Sequence, residues 1–415
     1  MQRRNFIQTC SSATAAMMLT GISGLAMRST AIVNDEIFVL VFLRGGCDGL
    51  QLVAPVNDPH YIADREPALR VTESGDKMGW MLKNGLGQVD FRLHAAAEQL
   101  KELYDADQMA IIHACGLTNG TRSHFDAQDM IEKGIQSKTM QGANMNQGWL
   151  ARYLNTLSNK TNFSAIAAGA SMPLSLWGSP TAVSVNGLGD FALQADGNFN
   201  NLIRKSYTDE SVLGRTALQT FYTIDLLQKK IARRATGEAV AYKPEGNAKY
   251  LEDQFGKSLR NVAQLVKLDI GMHVATVDYG GWDTHEYQAY RFPDLVKSLS
   301  ANLHAFYNDL NRYHSKLTVL VMSEFGRRVK GNKSNGTDHG YGNAMLALGG
   351  KVKGGKMYGN WKGLATEQLD NGVDLAVTTD YRTILQEVLS KRMNASKDLK
   401  YILPGFDPIA GLDFL

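Results

Sequence analysis

The chain has 415 residues, of which 44% are hydrophobic, 44 are basic and 41 acidic. That content is ample for a core, and the length suits one large domain or two small ones. Near-balanced charge and three cysteines exclude a polyanion-binding surface and a disulfide framework.

Arg3 and Arg4 stand before Phe6, and a mildly apolar run rich in small residues follows from Ser11 to Met27. The pattern reads as a twin-arginine export signal ending near Ser29, Thr30 and Ala31. An ordinary secretory signal and an uncleaved anchor are the alternatives. The run is too short and polar for a span of ~20 residues, and no later run approaches that length, so no stable transmembrane span is expected. Residues 1–31 are therefore read as a leader and 32–415 as a single mature domain. The expected location is the periplasm, with the twin-arginine translocase as a partner during export. Arg3, Arg4 and Arg28 leave with the leader, so 41 basic residues face 41 acidic ones and nucleic acid is not an expected partner. Cys10 leaves too. Cys47 and Cys115 are either two buried thiols or one bridge in an oxidising compartment.

The elements mostly alternate as strand and helix. Residues 37–43 are apolar on both faces, as in a buried parallel strand. A helix is expected over 91–105, with Leu93, Ala96, Ala97, Leu100 and Leu103 on one face, then a strand over 109–114 and a helix over 123–135. Another helix opens at Gly148. Residues 164–196 alternate and are broken by Gly and Pro, which predicts a β-rich insertion or sheet edge. Two long amphipathic helical patterns cover 209–235 and 247–268, joined by a linker from Gly237 to Gly246. Beyond them come a strand at 272–277, a helix at 294–312 and a strand at 317–322. Gly326–Gly342 reads as a polar loop, too polar to be buried. A strand at 343–348, a hairpin punctuated by Gly349, Gly350, Gly354 and Gly355, and a closing helix capped by Thr379 or Asp380 complete the chain. The fold class is α/β: a three-layer α/β/α sandwich with a mostly parallel central sheet, carrying insertions around 164–196 and 209–268.

Four polar clusters follow apolar strands, where open α/β sheets gather their ligands. Asp48 sits in a Gly-rich turn after the first strand, as a candidate metal ligand or an ordinary Asp-Gly turn. Ser123 begins a helix, where N–H groups stabilise negative charge, so it is a candidate nucleophile; it is equally an N-cap, with His124 then the ligand. Asp283 and His285 lie two apart and on one side if extended, which suits a cation. Glu324 ends a strong strand and must be solvated, paired or metal-bound, while Arg327 offers a planar fork to an oxyanion or a partner to Glu324. Asp338 and His339 are adjacent in a Gly-flanked loop and suit neighbouring metals. His113, His273, His304 and His314 fall within elements and read as structural. The stretch Gly350 to Lys356 nearly spells a phosphate loop, but Met357 stands where the Ser or Thr is needed.

Taken together, the motifs from Phe42 to Gly49 and Arg122 to Phe125, then Trp282 to His285, Ser323 to Arg327, Gly336 to Gly340 and Gly354 to Gly359, resemble a known family. It is the bacterial domain of unknown function 1501 family of twin-arginine-exported proteins, distantly similar to the alkaline phosphatase and sulfatase superfamily. The resemblance spans nearly the whole mature chain. It implies an alkaline-phosphatase-like sandwich holding two divalent metal ions and acting on phosphate or, less readily, sulfate esters of a small molecule or glycan. By that likeness Asp283, His285 and His339 bind one metal and Asp48, Glu324 and Asp338 the other. Ser123 takes the nucleophile's place, with Arg122 or Arg327 holding the oxyanion. Mixed oxygen and nitrogen ligation suits zinc or manganese better than magnesium or calcium. The motif that exported sulfatases modify is missing around Cys47 and Cys115, which disfavours sulfate. The rival expectations are a non-catalytic envelope protein that binds metal or glycan, and an exported assembly factor for a neighbouring gene's product.

Overall fold

Every residue of Ile37–Leu43 (β1) is buried, because both faces of this strand are covered. Val39 and Val41 enter a core with Leu100, Leu103, Val262 and Leu299, while Phe38, Leu40 and Phe42 enter another with Met130, Leu150, Ile384 and Val388. Helices on both sides of one sheet make three layers. The chain is seen as a computed structural model that describes residues 36–140, 145–187, 197–232 and 240–415; the expected leader and part of the 237–246 linker lie outside the described residues.

The central sheet adds Met109–Gly116 (β2), Ala165–Ala167 (β3), Ala182–Ser184 (β4), Val274–Tyr279 (β5), Leu317–Ser323 (β6), Asn343–Leu348 (β7), Met357–Tyr358 (β8) and Thr379–Asp380 (β9). Their order is β8-β2-β7-β6-β1-β5-β3-β4, with β9 also beside β2. All pairs are parallel except those made by β7, which runs against both β2 and β6. Among the described residues no helix is long and apolar enough to cross a membrane.

Several expectations change in detail. For the alternating stretch the sheet-edge reading holds: Ala182–Ser184 is the last strand of the main sheet and Ala165–Ala167 lies between it and β5, while residues 188–196 lie outside the described residues. The expected helix at 91–105 begins only at Glu98; Phe91–Leu93 is a strand paired with Val53–Pro55. The Gly326–Gly342 stretch is a hairpin of Arg327–Gly331 and Thr337–His339, with Arg327, Val329 and Thr337 buried. The glycines after β7 make no hairpin, since β8 pairs with β2. Helices run over Val212–Lys230, Gln254–Lys267, Gln288–Asp309 and Tyr381–Lys391, the last capped by Asp380. Cys47 and Cys115 are both free and buried, and burial pushes both thiols up, Cys115 to about 12.

Candidate metal centre

The carboxyl ends of β1, β2, β5 and β6 meet at one rim. After β1 the backbone turns through Gly45 and Gly46, both at positive φ (122° and 67°). A Cβ on Gly45 would run into the backbone of Asp283, and one on Gly46 into the Phe325 ring. Glycine at these two positions lets the loops after β5 and β6 close over the end of β1. The loop after β2 feeds the helix His124–Lys133, whose N-cap Ser123 accepts a hydrogen bond from the Asp126 N–H at 3.4 Å. The hairpin after β6 brings Asp338 and His339 to the same place.

Three imidazoles share one arrangement there. His124 Nδ1 lies 2.8 Å from Glu324 Oε1, His285 Nδ1 3.3 Å from Asp338 Oδ1, and His339 Nδ1 2.8 Å from the Arg122 carbonyl. Ionised carboxylates and carbonyls only accept, so each Nδ1 carries a proton, and a ring in its neutral form then presents an Nε2 lone pair. All three Nε2 atoms face the Asp283 carboxylate, at 3.5 Å for His124 and 3.1 Å for His285 and His339. The Nε2 atoms of His285 and His339 are themselves 2.8 Å apart. Lone pairs turned on one another and on a carboxylate repel unless a proton or cation lies among them. His124 Nε2 is buried and has no hydrogen-bond partner. One ligand atom each from His124, Asp283 and His339 lies within 4.8 Å of the other two. Neighbouring ligand atoms ~2.0–2.1 Å from a tetrahedral zinc sit ~3.4 Å apart, so this donor set fits one ion.

The surrounding groups hold this geometry. Glu324 is fully buried; its Oε1 accepts from the Gly45 N–H (2.9 Å), His124 and Gln128 (2.8 Å), and its Oε2 from Ser323 (2.9 Å). Burial alone would raise its pKa, but these donors bring it down to about 2. Asp283 likewise feels burial upward, yet the hydrogen bond and charge of the Arg327 guanidinium beside it bring it to about 2. Asp338 is held below its ordinary value, first by Asn332 and, after a smaller upward pull from burial, by His285. Phe325 packs its ring 4.8 Å from both His124 and His339.

Other expected site residues are placed differently. Asp48 is fully buried, and each of its oxygens accepts two bonds: Arg65 takes both (2.6 and 3.1 Å), with the Gln51 N–H (3.1 Å) and Gln288 (2.7 Å). No lone pair is left for a cation. Gln288 passes the anchorage on, its Oε1 accepting from Thr284 and Thr337 beside Asp283 and Asp338. Glu324 is fully buried and turned to His124, Gln128, Gly45 and Ser323, and no contact joins it to Asp48 or Asp338, so the second expected ligand set (Asp48, Glu324, Asp338) does not assemble. Arg327 has a fully buried side chain and donates to the carbonyls of Gly45, Gly46, Trp282 and Thr337 and to Asp283, so it presents no face to a substrate oxyanion. Arg122 is bound to Asp374 and lies over the Tyr341 ring, its side chain one-third exposed. Sequence reasoning placed Ser123 ahead of His124; the one available signal was an imidazole at the first turn of a helix after a strand. Gln128 and Asn332 carried no signal of their own.

Fold and site together define an α/β protein with a carboxylate–imidazole cluster at the carboxyl rim of a mostly parallel sheet. The chain belongs to the family described as "Protein of unknown function (DUF1501)", which it matches over residues 36–395. No curated protein matches it in sequence. Solved structures similar to it include a protein of the alkaline phosphatase superfamily from Vibrio parahaemolyticus (10% identity, 87% of this chain and 72% of that one, TM-score 0.35). The PsFucS1 sulfatase from Pseudoalteromonas sp. is another (9%, 86% and 68%, 0.35). The phosphonate monoester hydrolase of Agrobacterium radiobacter is a third (9%, 86% and 74%, 0.35). Likeness this distant says nothing about which residues act.

Proposed function

We propose that this protein is an exported, metal-dependent hydrolase of phosphate-type esters, working in the periplasm with one divalent cation held by His124, Asp283, His285 and His339. The observation that carries the reading is the shared commitment of three Nδ1 atoms to acceptor oxygens, which turns three Nε2 lone pairs onto one carboxylate. Carboxylate and carbonyl partners behind ligating imidazoles fix the ring and raise its basicity. Three nitrogens and a carboxylate favour zinc, with manganese next. Such an ion supplies Lewis acidity at the phosphoryl oxygens. Ser123 stands beside His124 at a helix N-terminus, where N–H groups favour negative charge. Its Oγ loses its proton and bonds to phosphorus as the P–O ester bond breaks, the leaving oxygen taking up a proton to depart as the alcohol; water then cleaves the phosphoserine, releasing phosphate and restoring the serine hydroxyl. Arg122, shared with Asp374 but partly exposed, meets the anion from the side.

Metal analysis of protein purified from periplasm tests the reading. Near-stoichiometric zinc or manganese, lost in Asp283→Ala and His339→Ala, supports it, and turnover of an aryl phosphate above that of an aryl sulfate completes it. Protein that holds no metal overturns it. Metal without turnover of either ester favours a non-catalytic envelope protein on the same scaffold.

A further inference from the structure

The same rim carries a second feature that the metal cluster does not use. A cavity of about 280 Å³ opens across the carboxyl ends of β3 and β5 and the start of the helix Gln254–Lys267. Its polar lining comes from Ser171, Asn186, Gln254, Ser258, Thr276 and Asp278, and the rest is small: alanines, Gly169 and Pro173. Among the described residues no lysine, arginine or aromatic side chain lines it. A phosphate or carboxylate ligand would therefore find no counter-charge, and a nucleobase no ring to stack on. Hydroxyls, amides and one carboxylate over an apolar floor match a neutral ligand that is rich in hydroxyls. The volume is close to the small end of ligand sites (~300–1,000 Å³).

Two details mark the cavity as more than a gap in packing. Thr276 is only 4% exposed, and its hydroxyl has no hydrogen-bond partner. A buried polar atom left unpaired destabilises the fold, and a ligand hydroxyl reaching it would relieve that. Asp278 also ties the cavity wall to the metal cluster. Its Oδ1 accepts from Arg44 at 2.9 Å, and the next residue, Gly45, donates its N–H to Glu324, which holds His124. Gly45 in turn lies against the backbone of Asp283. Cavity and cluster are thus separated by a single turn of chain after β1.

We infer that this cavity is a subsite for one sugar ring, so that the alcohol part of the substrate is carbohydrate. The assignment rests on the hydrolase reading for its place in a reaction, but not for the binding itself. Gly169 supplies a clean probe: it lines the cavity, and a Cβ added there meets no atom within 4 Å. Gly169→Phe therefore adds a ring at the cavity wall with no clash at its Cβ, and Thr276→Val removes the unpaired hydroxyl at nearly constant shape.

The experiment is saturation-transfer NMR with maltose, cellobiose and lactose on the full mature protein, its two cavity variants and Asp283→Ala. Thermal melts check that each variant is folded. At least one disaccharide should bind wild type and Asp283→Ala alike, with signal abolished in Gly169→Phe. Thr276→Val should bind about fivefold more weakly, as the loss of one neutral hydrogen bond predicts. No binding of any disaccharide by wild type, or binding untouched in both folded cavity variants, overturns the inference. Disaccharide binding in a protein that turns over no ester keeps the subsite and sinks the hydrolase reading. Aryl phosphate turnover without disaccharide binding does the reverse.

Discussion

Replacing Glu324 by Gln separates the fold from the proposed cation site. The variant keeps the shape of a fully buried side chain and removes its charge. The amide oxygen still accepts from the Gly45 N–H, His124 and Gln128. The new NH2 takes the place of Oε2 and donates to Ser323 Oγ, whose own hydrogen then turns to the Leu43 carbonyl, 2.6 Å away. Stability should therefore fall by no more than ~1 kcal/mol. The imidazole changes more. The hydrogen bond that His124 donates to Glu324 is the foremost influence raising the His124 pKa, against burial, and so makes Nε2 a stronger donor to a cation. Losing a carboxylate behind a ligating histidine costs ~10–100-fold in metal affinity, or ~1.4–2.7 kcal/mol. Chelator competition against a zinc indicator measures this, with urea unfolding of the metal-free proteins beside it. Unchanged zinc affinity in a folded Glu324→Gln protein would refute the role given to this carboxylate.

Asp48→Asn should leave metal stoichiometry intact but cost ~3–5 kcal/mol of stability, because Arg65 is then a buried charge without its partner; metal analysis and urea midpoints read the two effects, and lost metal with full stability would return Asp48 to the ligand set. Ser123→Ala should cost ~1 kcal/mol as a lost N-cap, retain metal, and reduce aryl phosphate turnover to background; turnover that survives would move the attack to water. Acid should weaken the fold through His113. Its ring is fully buried, with Nδ1 accepting from the Ala114 N–H and Nε2 donating to the Val53 carbonyl, and burial lowers its pKa from 6.5 to about 4. The native state refuses a proton that the unfolded chain accepts, so this stability is full above about pH 6.5 and lost as pH falls to about 4. The shift amounts to ~3 kcal/mol. Urea midpoints across that range should slope less steeply in His113→Gln, and equal slopes would exclude His113 as the cause.

Much of the scaffold was legible because its signals are local. β1 announces its burial through an apolar run on both faces, and Ser123 and Asp380 announce helix starts. The errors come from partners far along the chain. Leu93, Ala96, Ala97, Leu100 and Leu103 keep helical spacing, yet Phe91–Leu93 is claimed by Val53–Pro55. Arg327 reads as polar and exposed until the carbonyls of Gly45, Gly46, Trp282 and Thr337 surround it. The site divides in the same way. Asp283, His285 and His339 combine ligand side chains with glycine-flanked loops, and the structure brings them together. Asp48 and Glu324 each end a strand, and a strand-end carboxylate looks alike in sequence whether it faces a cation, an arginine or a histidine. What decides is Arg65 for one and His124 for the other, and neither pairing leaves a trace in the spacing.

The position of β1 has a consequence for how the chain is made. Its two neighbours are β5 and β6, and Leu43 contacts Ser323 across 280 residues of sequence. A ribosome therefore releases this inner strand more than 200 residues before either of its partners. Folding cannot close around β1 while most of the chain is still being synthesised, and contacts of such long range form slowly. Until then an apolar strand stays open to wrong partners.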